Sequence, residues 1–140
     1  NHDLLDFSLN YPSDKFEKRV YSVKSVPAKS TGILSLDHKE QLNYPQISIT
    51  AVRTSSTVRE WVEERNYCPA SFDSCTPIVA GPLPGSIQFE SKNRHYASID
   101  TFVKDDEVLY NLGMTARQPD LPLTETQKEL YNKIISTFKT

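Results

Sequence analysis

The residues of this chain best suited to covalent or metal chemistry are its two cysteines, Cys68 and Cys75, and its three histidines, His2, His38 and His95. Zinc sites draw their cysteines from short C-x2-4-C steps joined by further Cys or His ligands. Here Pro69 to Ser74 separate the sulfurs and the histidines are scattered singly, so no metal site is expected. A thioredoxin-type centre needs C-x-x-C at a helix N-terminus, where the thiol pKa is lowered, and that spacing is absent too. A Cys–His hydrolase is harder to exclude, because nucleophile and base meet in space and not in sequence. Cys68 or Cys75 with His38 or His95 as base therefore stays open as an alternative, as do two reduced cysteines, since buried free Cys is common. The reading taken here is a disulfide between Cys68 and Cys75. Pro69, Ser71, Asp73 and Ser74 form turns that bring the ends together, and closing so small a ring contributes about 2–3 kcal/mol. A persistent disulfide implies an oxidising compartment such as the periplasm, the cell surface or a secretory lumen.

Other chemistry finds less support. The four glycines never gather into GxGxxG or GxxxxGK, so no phosphate loop is expected. Asp105, Asp106 and Glu107 lack the regular oxygen positions of a calcium loop and read as a solvated turn. GPLPG (81–85) reads as a rigid turn ahead of a strand, not as a proline-rich ligand. No catalytic residue and no cofactor is assigned.

The elements that would position these residues are short strands and two helices. A length of 140 residues suits one domain, here taken as residues 1–140. Such a chain buries about two-thirds of its unfolded surface, so a disulfide would fasten a loop locally and not be a condition for folding. The net charge of -2 gives no pull toward nucleic acid or acidic lipid. No apolar run approaches the roughly 20 residues of a membrane-spanning helix, and hydrophobic residues at 37% suit a soluble protein. The chain opens on Asn1-His2-Asp3 and not on Met, which leaves room for a removed leader, and for a lipid tether, upstream of residue 1.

Alternating apolar and polar residues predict strands in DFSLNYP (6–12), with Phe7 and Leu9, and in KRVYSVKSVP (18–27), with Val20 opposed to Tyr21 and Val23. Further strands are predicted in TGILSLDH (31–38) and PQISITAVR (45–53), the latter setting Ile47, Ile49 and Ala51 against Ser48, Thr50 and Val52. SIQFES (86–91), HYASIDTFV (95–103) and EVLYNLGMTA (107–116) complete the set, with Lys104-Asp105-Asp106 as a hairpin turn. Thr57 and Glu60 form a capping box, followed by Val58, Trp61 and Val62 on one helical face. Trp61 reads as a core anchor. Thr124 and Gln127 cap a final helix whose stripe runs through Leu130, Ile134 and Phe138, widened by Tyr131 and Ile135. Residues 66–85 are the longest irregular stretch and, with the neighbouring hairpin tip, the candidate contact surface. Lys15, Lys18, Arg19, Lys24 and Lys29 read as solvating charges along strand edges.

The opening Phe7, Leu9, Tyr11 and Pro12, the Thr57–Trp61–Val62 helix and the closing Tyr131, Ile134, Ile135, Ser136, Thr137, Phe138 and Lys139 resemble the PsbP-like superfamily. Its members include an extrinsic photosystem II subunit and many exported or lipid-anchored bacterial proteins. The resemblance implies an α+β fold: an antiparallel β-sheet flanked by helices in an α-β-α sandwich, with the C-terminal amphipathic helix packed on the sheet. It also implies a binding or assembly-supporting role without shared enzyme chemistry, and a photosynthetic setting does not follow. It supplies no binding residue, and the Cys68–Cys75 ring is not one of its features. The expectation is a non-enzymatic, extracytoplasmic binding or assembly module, the soluble part of a lipoprotein in one form, with a protein partner and no nucleic acid. The alternatives are the Cys/His hydrolase and a GTPase-binding protein of the same fold, as one eukaryotic nuclear member is.

Overall fold

A computed structural model describes residues 7–21, 28–65 and 67–140. Its strands are β1 (Phe16–Val20), β2 (Thr31–His38), β3 (Gln46–Arg53), β4 (Phe72–Cys75), β5 (Val79–Ala80), β6 (Ile87–Asn93), β7 (Tyr96–Asp105) and β8 (Val108–Thr115). The helices are α1 (Val58–Glu64), between β3 and β4, and α2 (Glu125–Ile135), after β8. They build an eight-stranded sheet in the order β1-β2-β3-β8-β7-β6-β4, with β5 also pairing with β6. The pairings are antiparallel.

Side chains alternate between the faces of a strand, and β8 shows the result. Tyr110, Leu112 and Met114 point into one buried cluster and Leu109 into another. The larger cluster joins Leu34, Leu36, Ile47, Ile49 and Ile99 of the sheet to Tyr131, Ile134, Ile135 and Phe138 near the C-terminus. Tyr131 is anchored by its hydroxyl, which donates to the Leu112 carbonyl and shares a 2.8 Å hydrogen bond with Thr101 Oγ1. The smaller cluster gathers Val52, Ile87, Phe89 and Leu109 around Trp61 and Val62 of α1. Val52, expected on the polar side of β3, is buried at 1% exposure because α1 lies over that end of the strand.

Both helix starts follow from local sequence. Thr57 and Glu60 close a capping box on α1, and Thr124 and Gln127 close one on α2, satisfying amides that the first turn leaves unpaired. Among the described residues, no helix is long and apolar enough to cross a membrane.

Several expectations are corrected. Of the expected first strand, 6–12, the described residues 7–12 form no sheet strand. Ser8 makes one isolated bridge to Lys139, with its N–H donating to the Lys139 carbonyl at 2.7 Å, while Phe7, Leu9 and Tyr11 pack on the larger cluster. Hydrophobic alternation there serves contact with the C-terminal turn, not a ladder. In place of the strand expected over 18–27, β1 runs over Phe16–Val20, and Val20 and Tyr21 are exposed. His2, Val23 and Lys24 lie outside the described residues. The stretch 66–85 is less irregular than expected, since β4 and β5 both pair with β6. The β7–β8 turn falls on Asp106 and Glu107, with Lys104 and Asp105 still in the ladder. Asp106 takes φ 53, a left-handed conformation that Asp tolerates and that matches strand twist in a tight hairpin.

Candidate functional site

A disulfide joins Cys68 and Cys75, with Cα atoms 5.9 Å apart. β4 lies within the ring and places Cys75 opposite Ser91 and Phe72 opposite Asn93. Asp73, within the ring, accepts a 2.7 Å hydrogen bond from the His95 backbone N–H. The ring is thereby fastened to the β6–β7 turn, where Arg94 and His95 both take positive φ. His95 Nδ1 faces carboxylates, Asp120 Oδ1 at 3.1 Å and Asp73 Oδ2 at 3.8 Å.

His38 sits elsewhere, its ring against Tyr44 and Phe16 and its Nδ1 accepting from the N–H groups of Glu40 and Gln41. With both sulfurs bonded and no free cysteine among the described residues, the Cys/His pairing has no thiol to act as nucleophile. Of the acidic turn residues, Glu107 is paired with Arg53 at 3.3 Å. Among the described residues no cluster of His, Cys, Asp and Glu is arranged to hold a metal ion.

The candidate site is a cleft of about 520 Å³ on the α1 side of the sheet. Register explains its composition. Phe89 lies opposite Asp100, Ser91 opposite Ser98, Asp100 opposite Gly113, and Phe102 opposite Asn111. These residues therefore share one face of three adjacent strands. α1 spans only Val58–Glu64 and covers the Val52–Leu109 end of that face. Toward Asp100 the face is open, bounded by Tyr67, Pro69 and Phe72 of the ring region. Tyr67 meets Phe89 edge to face at 4.8 Å, and Phe89 stacks on Phe102 at 5.9 Å.

The polar groups at the base of the cleft are unusual for such a setting. Asp100 keeps some exposed surface as a residue, but its carboxyl lies deep enough that burial pushes it up to about 6. Hydrogen bonds from Ser98 and Asn111 pull the other way, and no cationic side chain enters the balance. Ser98 Oγ donates to Asp100 Oδ2 at 3.2 Å and lies 3.1 Å from Ser91 Oγ. The carboxyl occupies space left by Gly113, where a Cβ would come within 2.9 Å of Asp100 Oδ1. Asn111 Oδ1 is buried and has no hydrogen-bond partner among the described residues. Such orphaned acceptors are rare in folded proteins and call for an explanation. At the rim, the Arg65 guanidinium lies 3.2 Å above the Trp61 ring and 3.7 Å from Glu64. Trp61 thus acts both as the expected core anchor and as a wall of the cleft.

Sequence patterns point to a contact surface at 66–85 and the hairpin tip, and they miss Asp100 and Asn111. The available signal is an acid in mid-strand within HYASIDTFV, on the same side as an aromatic, where a solvated face needs no aromatic and a core face tolerates no acid.

No protein-family model matches the sequence, and no curated protein matches it. The structure is similar to the solution structure of cyanobacterial PsbP (CyanoP) from Synechocystis sp. PCC 6803, with a TM-score of 0.52. The two chains are 9% identical, and the likeness covers 96% of this chain and 92% of that one. At that identity the likeness concerns the fold alone: the chain has a PsbP-like fold, a mostly antiparallel sheet with two helices.

Proposed function

We propose that this PsbP-like chain is a single non-enzymatic binding or assembly domain, residues 1–140, working outside the reducing cytosol. In this reading α1 and α2 are the outer layers of an α-β-α sandwich, and α2 secures the sheet from the side away from the cleft. The cleft beside the Cys68–Cys75 ring receives part of a partner, a protein that docks over the ring and the β6–β7 turn. The observation that carries the reading is the buried Asn111 Oδ1, an acceptor without a donor on a residue that lines an open, aromatic-walled cleft. A polar group left in that state costs about 1–3 kcal/mol, a cost that a bound ligand's donor removes. The volume also falls in the range of small-ligand sites, about 300–1,000 Å³.

The extracytoplasmic setting rests on the disulfide, and a lipid tether upstream of residue 1 would confine the domain to a membrane surface without changing its fold.

Two measurements test this. Backbone amide NMR with a set of small fragments should show shifts concentrated at Trp61, Phe89, Asp100 and Asn111; shifts spread over the surface would remove the cleft from consideration. Thiol alkylation with mass analysis should label both cysteines only after reduction. One reactive thiol in the native protein would instead bring back the hydrolase.

A further inference from the structure

Resting on the reading of the cleft as a binding site, its chemistry narrows what it takes. We infer that the cleft holds a primary ammonium group, whose N–H donors meet the Asp100 carboxylate and Asn111 Oδ1 while its alkyl chain runs between the aromatic walls. The shared chemistry has two sources, a free alkylamine and a lysine side chain of a docking protein.

Hydrogen-bond donors set the first requirement. Asp100, once ionised, only accepts hydrogen bonds, and Asn111 already commits its amide N–H to Asp100, leaving Oδ1 as a second acceptor. A ligand that satisfies both needs at least two donors and no lone pair facing the carboxylate. An ammonium supplies three donors and no acceptor, whereas a hydroxyl supplies one donor and brings lone pairs with it. A carboxylate or phosphate would meet Asp100 with like charge.

Charge points the same way. The described residues give Asp100 no cationic partner, so its negative charge at neutral pH is balanced only by neutral donors. A bound cation completes the pair, and the partly exposed rings of Tyr67 and Phe102 along the wall add attraction for positive charge.

Other charged and titratable groups around the cleft limit the ligand further. Arg65 of α1 and Arg94 of the β6–β7 turn line it, as do the phenols Tyr67 and Tyr96. Arg65 is stacked on Trp61 and close to Glu64, with its side chain half exposed, and Arg94 is exposed. Their charge lies in solvent near the mouth, where it is screened but still disfavours a second cation on the ligand. The cleft therefore suits one ammonium head on an apolar stem and not a polyamine.

The experiment titrates the disulfide-intact full chain at neutral pH with n-hexylamine, 1-hexanol and hexanoate, following backbone amides and the Asp100 carboxyl carbon by NMR. n-Hexylamine should saturate a site that shifts Asp100, Asn111 and Phe89, with 1-hexanol at least about tenfold weaker and hexanoate without effect, the ratio expected of a desolvated ion pair with aromatic support. The Asp100 carboxyl should ionise at lower pH with the amine bound. Asp100→Asn should weaken n-hexylamine about tenfold and leave 1-hexanol unchanged, and the carboxyl titration gives the same answer without any variant.

Equal binding of the amine and the alcohol, or saturation without a response at Asp100, overturns the ammonium assignment while leaving the cleft as a binding site. If none of the probes saturates, the ammonium assignment falls, and the fragment survey decides separately whether the cleft reading falls with it. Nα-acetyl-lysine methylamide separates the sources. Binding as tight as n-hexylamine assigns the site to a lysine side chain, and exclusion with n-hexylamine still bound assigns it to free amines.

Discussion

Replacing Asp100 with Asn should make the protein more stable at neutral pH and remove part of its pH dependence. The folded protein holds the Asp100 proton until about 6, whereas the ordinary value is 3.8. Between those values the folded state binds more protons than the unfolded state, so stability falls as pH rises through that window and levels off above it. At about 1.4 kcal/mol for each tenfold change in proton affinity, a rise of that size costs roughly 3 kcal/mol, best taken as 2–3 because the residue keeps some contact with solvent. Asn keeps the shape of the side chain and the acceptor for Ser98 Oγ, and it carries no charge to desolvate. Urea denaturation of the wild type and Asp100→Asn at about pH 4 and pH 7 isolates the effect. The variant should gain about 2–3 kcal/mol on the wild type at the higher pH and little at the lower one, where Asp100 is protonated in the fold. If the gap between the two proteins does not change with pH, Asp100 is not the buried carboxyl described above, and the floor of the cleft must be solvated.

Three further outcomes test the frame around the site. Phe138→Ala should cost about 3–5 kcal/mol in denaturant unfolding, the range for truncating a buried aromatic; a loss below about 1 kcal/mol would mean that the C-terminal helix is not docked. Tyr131→Phe removes the hydroxyl that serves both Thr101 and the Leu112 carbonyl, and should cost about 1–3 kcal/mol with the fold retained by circular dichroism. Reducing the Cys68–Cys75 bond should lower stability by about 2–3 kcal/mol, and because the ring borders the cleft it should also weaken any ligand bound there; unchanged stability would mean that the ring fastens nothing.

Features that depend on neighbours in sequence were legible in advance. The capping boxes at Thr57 and Thr124 are satisfied within one turn, so three residues suffice to see them. β2 runs over Thr31–His38, the segment read from its pattern. Features decided across the fold were not legible. Phe7 and Leu9 alternate as a strand would, yet the partner of Ser8 is Lys139, which lies beyond α2 at the far end of the chain. The cleft is a stronger case. Period two puts Ser98, Asp100 and Phe102 on one face, but whether that face meets solvent, a helix or an open cleft depends on the short length of α1 and on a ring fastened by Asp73 to His95. No local rule connects those elements to Asp100.

The bridge between Ser8 and Lys139 has a consequence for display. It holds both extremities of the described chain side by side, next to Phe7, Tyr110 and Phe138 on the face opposite the cleft. A linker fused after Thr140 would leave from that rear side. A domain moored by its C-terminal end would then keep its mouth turned toward bulk solvent, accessible to whatever arrives from outside the support.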